Sequence, residues 1–384
     1  MKLNQRTMIS MKRRTFIQSS LMTAGFCSIG MGRGGRSPLL TPKTENGVDW
    51  YDVQQWGIEG RGFGDTESYF DRLPARAKGT VRDAVWSLSR HSAGMSVRFK
   101  TTSPDVHVDY MLRSPSLSMF HMPATGVSGI DFYGRVEDGS DRWIQVTRPQ
   151  KQHVVARVFG GIDPGPEHGR LYTAYLPLYN GVEKLRIGVK QGATFTPMLP
   201  RAEKPIVFYG TSIMHGACAS RPGMSISAIL GRRYDMPTVN LGFSGNGRLE
   251  MELAELMGEI DAAVYCVDCL PNLQPMQVAE RTIPFIKRLR EIQPEAAIVM
   301  VEDRWFTNSR FFSSTRTRHE GNQKAFLAGY QALVKAGIEG LHYLKGVELL
   351  GKDGEAATDG SHPNDLGFMR YADAYANVLD PLLK

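Results

Sequence analysis

The rhythm of apolar residues changes near residue 204, and this change constrains the fold more than any other feature of the chain. Beyond it, short continuous apolar runs, "PIVFY" (205–209), "PTVNL" (237–241), "AAVYCV" (262–267), "AAIVMV" (296–301) and "LHYL" (341–344), alternate with helix-length stretches near 223–234, 275–292, 319–337 and 365–379. A strand that is apolar along its whole length buries both faces, so residues 203–384 read as an α/β unit with a parallel sheet covered by helices. Before the change, "MSVRFKTTSPDVHVDYML", "HVVARVFG" and "LRIGVKQG" alternate polar and apolar positions between Gly, Pro, Asp and Asn clusters. Period-two alternation leaves one face wet and one buried, so residues 45–200 read as an all-β antiparallel sandwich of jelly-roll type.

Charge is informative through its location. Eight of the 46 Lys and Arg fall in residues 1–44, which hold no Asp or Glu, leaving 38 positive against 39 negative residues in the remainder. The basic balance thus belongs to the leader and gives no support to nucleic-acid binding. The leader carries Arg13-Arg14-Thr15-Phe16-Ile17 followed by a modestly apolar stretch from Phe16 to Ile29. That stretch is too short and too polar for a stable membrane span, and the run resembles a twin-arginine export signal. The expectation is a protein exported to the periplasm or beyond, with no transmembrane span in the mature chain. Phe26 stands where a lipid-anchoring Cys27 needs a small residue, which argues against an anchor. If Cys27 leaves with the leader, Cys218, Cys266 and Cys269 remain, an odd number that suggests no disulfide framework. Cys266-Val-Asp-Cys269 has metal spacing but no second Cys/His pair, and it begins in an apolar strand, so it reads as core packing.

Ligand sites in doubly wound sheets lie outside the carboxyl ends of the strands. "GTSIMHG" follows the first strand and sets Ser212 on a glycine-flanked turn. A serine there is a turn or cap residue unless other loops supply a base, a group to orient that base, and donors for an oxyanion. "ATDGSHPND" offers His362 as base and Asp359, three residues before it, to hold its tautomer, although the same residues suit an Asx turn and a helix cap. "NLGFSGNG" after the second strand offers the backbone N–H of Gly245, and "DCLPN" after the third offers the side-chain amide of Asn272. With the amide of Ser212 these make three donors. His215, Arg304 and Trp305 are candidates to line the site or meet a sugar ring, Trp305 alternatively burying itself against a helix. His319 reads as a helix-surface residue and His342 as part of a strand. No metal or organic cofactor is called for.

The order Gly210-Thr211-Ser212, Gly245, Asn272, Asp359-x-x-His362 resembles the SGNH (GDSL-like) hydrolases, which draw serine, glycine, asparagine and histidine from four separate blocks. The resemblance covers residues 204–384 and implies a flavodoxin-like three-layer α/β/α fold. The first block departs in reading Gly-Thr-Ser for Gly-Asp-Ser, and the third lacks Gly-x-Asn-Asp, showing Asp268-Cys269-Leu270-Pro271-Asn272 instead. In the first half, Gly129-Ile130-Asp131-Phe132-Tyr133 resembles the Gly-x-Asp-Leu-Tyr signature of the β-domain preceding one SGNH branch. That two-domain type is associated with export and carbohydrate deacylation. The implied function is a serine esterase removing short acyl groups, most readily acetyl, from a carbohydrate or other small polar ester. Rival readings are lipase, thioesterase or acyltransferase chemistry on the same site, or a non-catalytic carbohydrate-binding protein. The loop "RSPSLSMFHMPATG" (113–126) is expected to reach over the pocket.

Overall fold

The computed structural model describes residues 40–163 and 165–384. Ten strands of the first half make two five-stranded antiparallel sheets. One has the order β1 (Lys43–Glu45), β2 (Val48–Asp52), β9 (Val182–Lys190), β4 (Val106–Leu112), β7 (His153–Phe159). The other runs β10 (Phe195–Met198), β3 (Ser96–Thr101), β8 (Arg170–Tyr175), β5 (Asp131–Arg135), β6 (Asp141–Val146). The alternation seen in the sequence does the burying: Val106, Val108, Tyr110 and Leu112 of β4 meet Leu185, Ile187 and Val189 of β9 in one core with Phe99 and Phe132. Two short helices interrupt the strands, α1 (Asp83–Ser89) and α2 (Ala124–Val127).

The second half is a parallel sheet in the order β12 (Thr238–Gly242), β11 (Ile206–Gly210), β13 (Val264–Asp268), β14 (Ala297–Val301), β15 (Leu341–Leu344). This 2-1-3-4-5 order is the flavodoxin-like one, with its reversal between β11 and β13. Alternate residues of β11 point into different layers. Val207 and Tyr209 join a core with α5 (Met251–Gly258), α6 (Pro275–Ile292) and α7 (Ser313–Lys335). Ile206 and Phe208 join another with α4 (Ile226–Tyr234) and α8 (Asp365–Leu383). A sheet so covered on both faces accounts for apolar runs without alternation. Two helices depart most from expectation. Helix α5 lies in "MELAELMG", which the apolar rhythm alone did not single out, and α7 starts six residues before the expected 319, in a polar stretch.

The described residues form one compact unit. Phe63, Leu73 and Val85 of the first half enter the α5–α7 core, and Met122, Val127 and Leu178 enter the α4–α8 core. The Gly-x-Asp segment supplies a polar clamp. Asp131 is fully buried and accepts from Arg221 Nη1 (2.9 Å), Gly223 N–H (2.8 Å) and Trp143 Nε1 (2.8 Å). A Cβ on Gly223 would stand 2.4 Å from the Tyr133 ring, so glycine is what lets the two backbones approach. Among the described residues no helix is long and apolar enough to cross a membrane. The twin-arginine run and Cys27 lie outside them.

Candidate active site

Strand β11 ends at Gly210, where a Cβ would meet the carbonyl oxygen of Asp268 at 2.7 Å. Thr211 then caps the one-turn helix α3 (Ser212–His215), its Oγ1 accepting from Ile213 N–H, and the left-handed Gly216 (φ 106°) ends it. Ser212 is held at the start of this turn with 8% of its surface exposed. Its Oγ lies 2.8 Å from His362 Nε2. His362 Nδ1 lies 2.7 Å from Asp359 Oδ2.

The turn bearing His362 is fixed by its own hydrogen bonds. Ala357 bridges Pro363, Thr358 N–H donates to the His362 carbonyl (2.9 Å), and Gly360 sits at φ 85°. Asp359 uses one carboxylate oxygen for this Asx turn, accepting the N–H groups of Ser361 (3.0 Å) and His362 (2.8 Å), and keeps the other for the imidazole. Turn former and histidine holder are thus one residue. Burial pushes the Asp359 carboxyl up, but these bonds and the imidazole outweigh it and bring it down to about 2, so it stays ionised.

Arg304 and His319 have other places than expected. Arg304 is buried rather than offered to a sugar: Nη1 donates to Asp303 (2.7 Å), and Nη2 reaches the backbone and side-chain oxygens of Ser361, bracing the turn that bears His362. His319, expected on a helix surface, is fully buried. Its Nδ1 lies 3.0 Å from Asp303 and its Nε2 accepts from Phe306 N–H (3.3 Å), which assigns the neutral tautomer protonated at Nδ1. Burial raises the Asp303 carboxyl, yet His319, Arg304 and Arg318 together bring it below the usual range. Trp305 is half-buried, stacks on His319 at 6.0 Å, and lines a groove of about 790 Å³ with Phe306, Arg310, Phe311 and Asp353. Asn308 joins this groove to the turn bearing His362, at Gly360.

The loops bearing Gly245 and Asn272 gather at the same strand end. Phe243 N–H donates to the Gly210 carbonyl (2.9 Å). Gly247, not singled out in the sequence, packs so closely that a Cβ would stand 2.0 Å from that oxygen. Gly245 occupies the left-handed region (φ 68°) with open space where a Cβ would be. The Asn272 amide is best satisfied with its oxygen accepting from Asn246 (3.0 Å) and Gly247 (3.3 Å) N–H, which turns its NH₂ to the opposite edge.

His215 is not available to line the site: it is fully buried, with its ring stacked on Tyr179 at 4.2 Å. Burial first, then the charges of Arg72 and His91, holds its imidazole well below the ordinary range, so it is neutral. Tyr179 comes from the first half and donates to the Ser212 carbonyl at 3.4 Å. The loop 113–126 also reaches the site, placing the His121 ring 5.7 Å from that of His362. Beside it Phe120 is 97% exposed. Cys218, just past α3, is buried, and burial pushes its thiol up to about 11, so it does not compete as a nucleophile. No motif marks Arg72, Tyr179 or His121, because their partners in the site lie in other segments, 33 residues on for Tyr179 and more than 100 for Arg72 and His121.

Fold and site define a serine-hydrolase type of protein. The profile of the GDSL-like lipase/acylhydrolase family matches residues 203–380, and that of the N-terminus of SGNH-hydrolase-type esterases matches residues 48–195. A Bacteroides ovatus protein provisionally termed a GDSL-like lipase is similar at 29% identity and a TM-score of 0.82, over 88% of this chain and 98% of that one. A salicylyl-acyltransferase from a tetracycline biosynthetic pathway (17% identity, TM-score 0.66, 91% and 98% covered) shares the fold. So does a family two carbohydrate esterase from Cellvibrio japonicus (11%, 0.56, 88% and 98%). No curated protein matched the chain. The chain belongs to the SGNH (GDSL-like) hydrolase family, in the branch with an N-terminal Gly-x-Asp-Leu-Tyr β-domain.

Proposed function

We propose that the protein is an exported esterase that removes short acyl groups, acetyl foremost, from a carbohydrate or similar polar substrate. The observation carrying this reading is the unbroken hydrogen-bonded row from Ser212 Oγ through His362 to Asp359, at 2.8 and 2.7 Å. His362 takes the Ser212 proton as Oγ attacks the ester carbonyl, and ionised Asp359 holds the imidazole and stabilises the imidazolium. The N–H groups of Ser212 and Gly245 and the amide of Asn272 receive the oxyanion. Collapse of the tetrahedral intermediate breaks the ester C–O bond, and the imidazolium gives its proton to the departing sugar oxygen. Water, deprotonated by the same histidine, then attacks the acyl-serine and releases the carboxylic acid.

A polar substrate is favoured by the groove beside the catalytic turn, which joins Trp305 and Phe311 to Arg310, Arg316 and Asp353. Aromatic faces with nearby charged hydrogen-bonding groups suit a sugar ring better than an acyl chain. The carbohydrate esterase sharing the fold acts on that class of substrate. The twin-arginine run supports export. A panel of acetylated glycans should release acetate with the intact protein and none above background with Ser212→Ala. Equal turnover by the two proteins would remove the assignment.

A further inference from the structure

We propose that His121, Cys218, Asp359 and His362 form a binding site for a zinc-class divalent cation, which switches the esterase off by withdrawing the imidazole from Ser212. This rests on the reading of Ser212 and His362 as nucleophile and base. The four ligand atoms, drawn from three separate segments, all lie within 4.8 Å of one another. Ligand atoms around a tetrahedral zinc stand roughly 3.3–3.8 Å apart, given bonds of about 2.0–2.3 Å. Closure by about an ångström, within the reach of side-chain rotation, completes the shell.

Two further observations point to a ligand. His121 Nδ1 is buried with no hydrogen-bond partner, and the ring stacks on Phe120 at 4.2 Å. Cys218 is held at φ 69°, a left-handed conformation unfavourable for a residue with a Cβ, and its thiol is thereby kept beside Asp359. Two imidazoles, a sulfur and a carboxylate are borderline-soft donors that suit zinc or cobalt and disfavour magnesium or calcium. As the sulfur–metal bond forms, the thiol proton leaves to solvent, and thiolate and carboxylate neutralise the dication. A coordinated His362 has no lone pair free for the Ser212 proton.

The test titrates the intact protein, Cys218→Ser, His121→Ala and Ser212→Ala with cobalt(II), and the intact protein, Cys218→Ser and His121→Ala with zinc chloride, the metal-free rate of each serving as its own reference. Cobalt should give a thiolate charge-transfer band in the near ultraviolet with the intact protein and Ser212→Ala, and none with Cys218→Ser. Zinc should inhibit hydrolysis of a small acetyl ester by the intact protein, and magnesium should not. Loss of Cys218 or His121 should weaken zinc inhibition by about tenfold or more, at least what losing an outer partner of a metal ligand costs. A missing cobalt band in the intact protein, or zinc inhibition unchanged in both variants, would overturn the proposal. If no protein hydrolyses the ester, the esterase reading falls, and the cobalt band alone still decides the site.

Discussion

Arg72 donates from Nη1 to the carbonyl of Gly242 at 2.7 Å, so a cation of the first half closes the carboxyl end of β12 in the second. The same guanidinium reaches the carbonyls of Asn240, His91 and Leu88 and the ring of His215, and is buried to 1% exposure. His215 in turn stacks on Tyr179, which donates to the carbonyl of Ser212. The turn of Ser212 thus rests on a polar plug whose guanidinium comes from 140 residues earlier in the chain.

Replacing Arg72 by Met should therefore cost stability and not only activity. Four carbonyls lose a donor inside the protein, at about 1–3 kcal/mol for each one left unsatisfied, tempered by relaxation and water entry. Urea unfolding should show a loss of at least about 3 kcal/mol. A midpoint within error of the parent would mean that the plug is not structural.

Two glycines of one loop should respond differently. In Gly247→Ala the new methyl stands 2.0 Å from the Gly210 carbonyl oxygen, so the loop must move away from the turn of Ser212. In Gly245→Ala the methyl meets nothing, and the cost is the left-handed conformation, about 1–2 kcal/mol. Displacement of the oxyanion donors should lower kcat for Gly247→Ala by about 10²-fold or more, as for loss of one such donor. Gly245→Ala should keep more activity, its N–H remaining in place. Steady-state kinetics on a small acetyl ester, with unfolding curves for both variants, checks the order; the reverse order contradicts it.

What was legible in the sequence followed from how local each interaction is. The apolar rhythm exposes β11 to β15 because each strand is buried on both faces. Asp359 and His362 were readable because their partnership spans three residues and one Asx turn. Helix α5 was missed, being short and not marked off by the rhythm of the neighbouring strands. Arg304 and His319 were misplaced for other reasons: a charged residue after a strand looks like a ligand contact, and a histidine in a polar helical stretch looks solvated, until Asp303 is seen to hold both. Arg72, Tyr179 and His121 belong to the site through contacts across the two halves, which no local pattern encodes.

Asp268, at the end of β13, should give the protein a measurable dependence on pH. Burial, only partly offset by Arg304 and Tyr375, raises its carboxyl to about 7. Its Oδ2 accepts from Tyr375 at 3.1 Å, while its Oδ1 has no partner. With the folded value raised above the unfolded one of about 3.9, the folded state binds the extra proton between them, so stability falls as pH rises from about 4 to about 7, at up to about 1.4 kcal/mol per unit. Asp268→Asn removes this titration and should flatten the stability profile over that window. Parallel profiles for parent and variant would show that Asp268 is ionised throughout.

The most direct measurement of the central claim is covalent labelling by a serine-reactive fluorophosphonate, located by peptide mass mapping. The account predicts a single adduct on the peptide containing Ser212, absent in Ser212→Ala and slowed by about 10²-fold or more in His362→Ala, as expected for loss of a general base. An adduct on another serine, or labelling at the parent rate in His362→Ala, would contradict it.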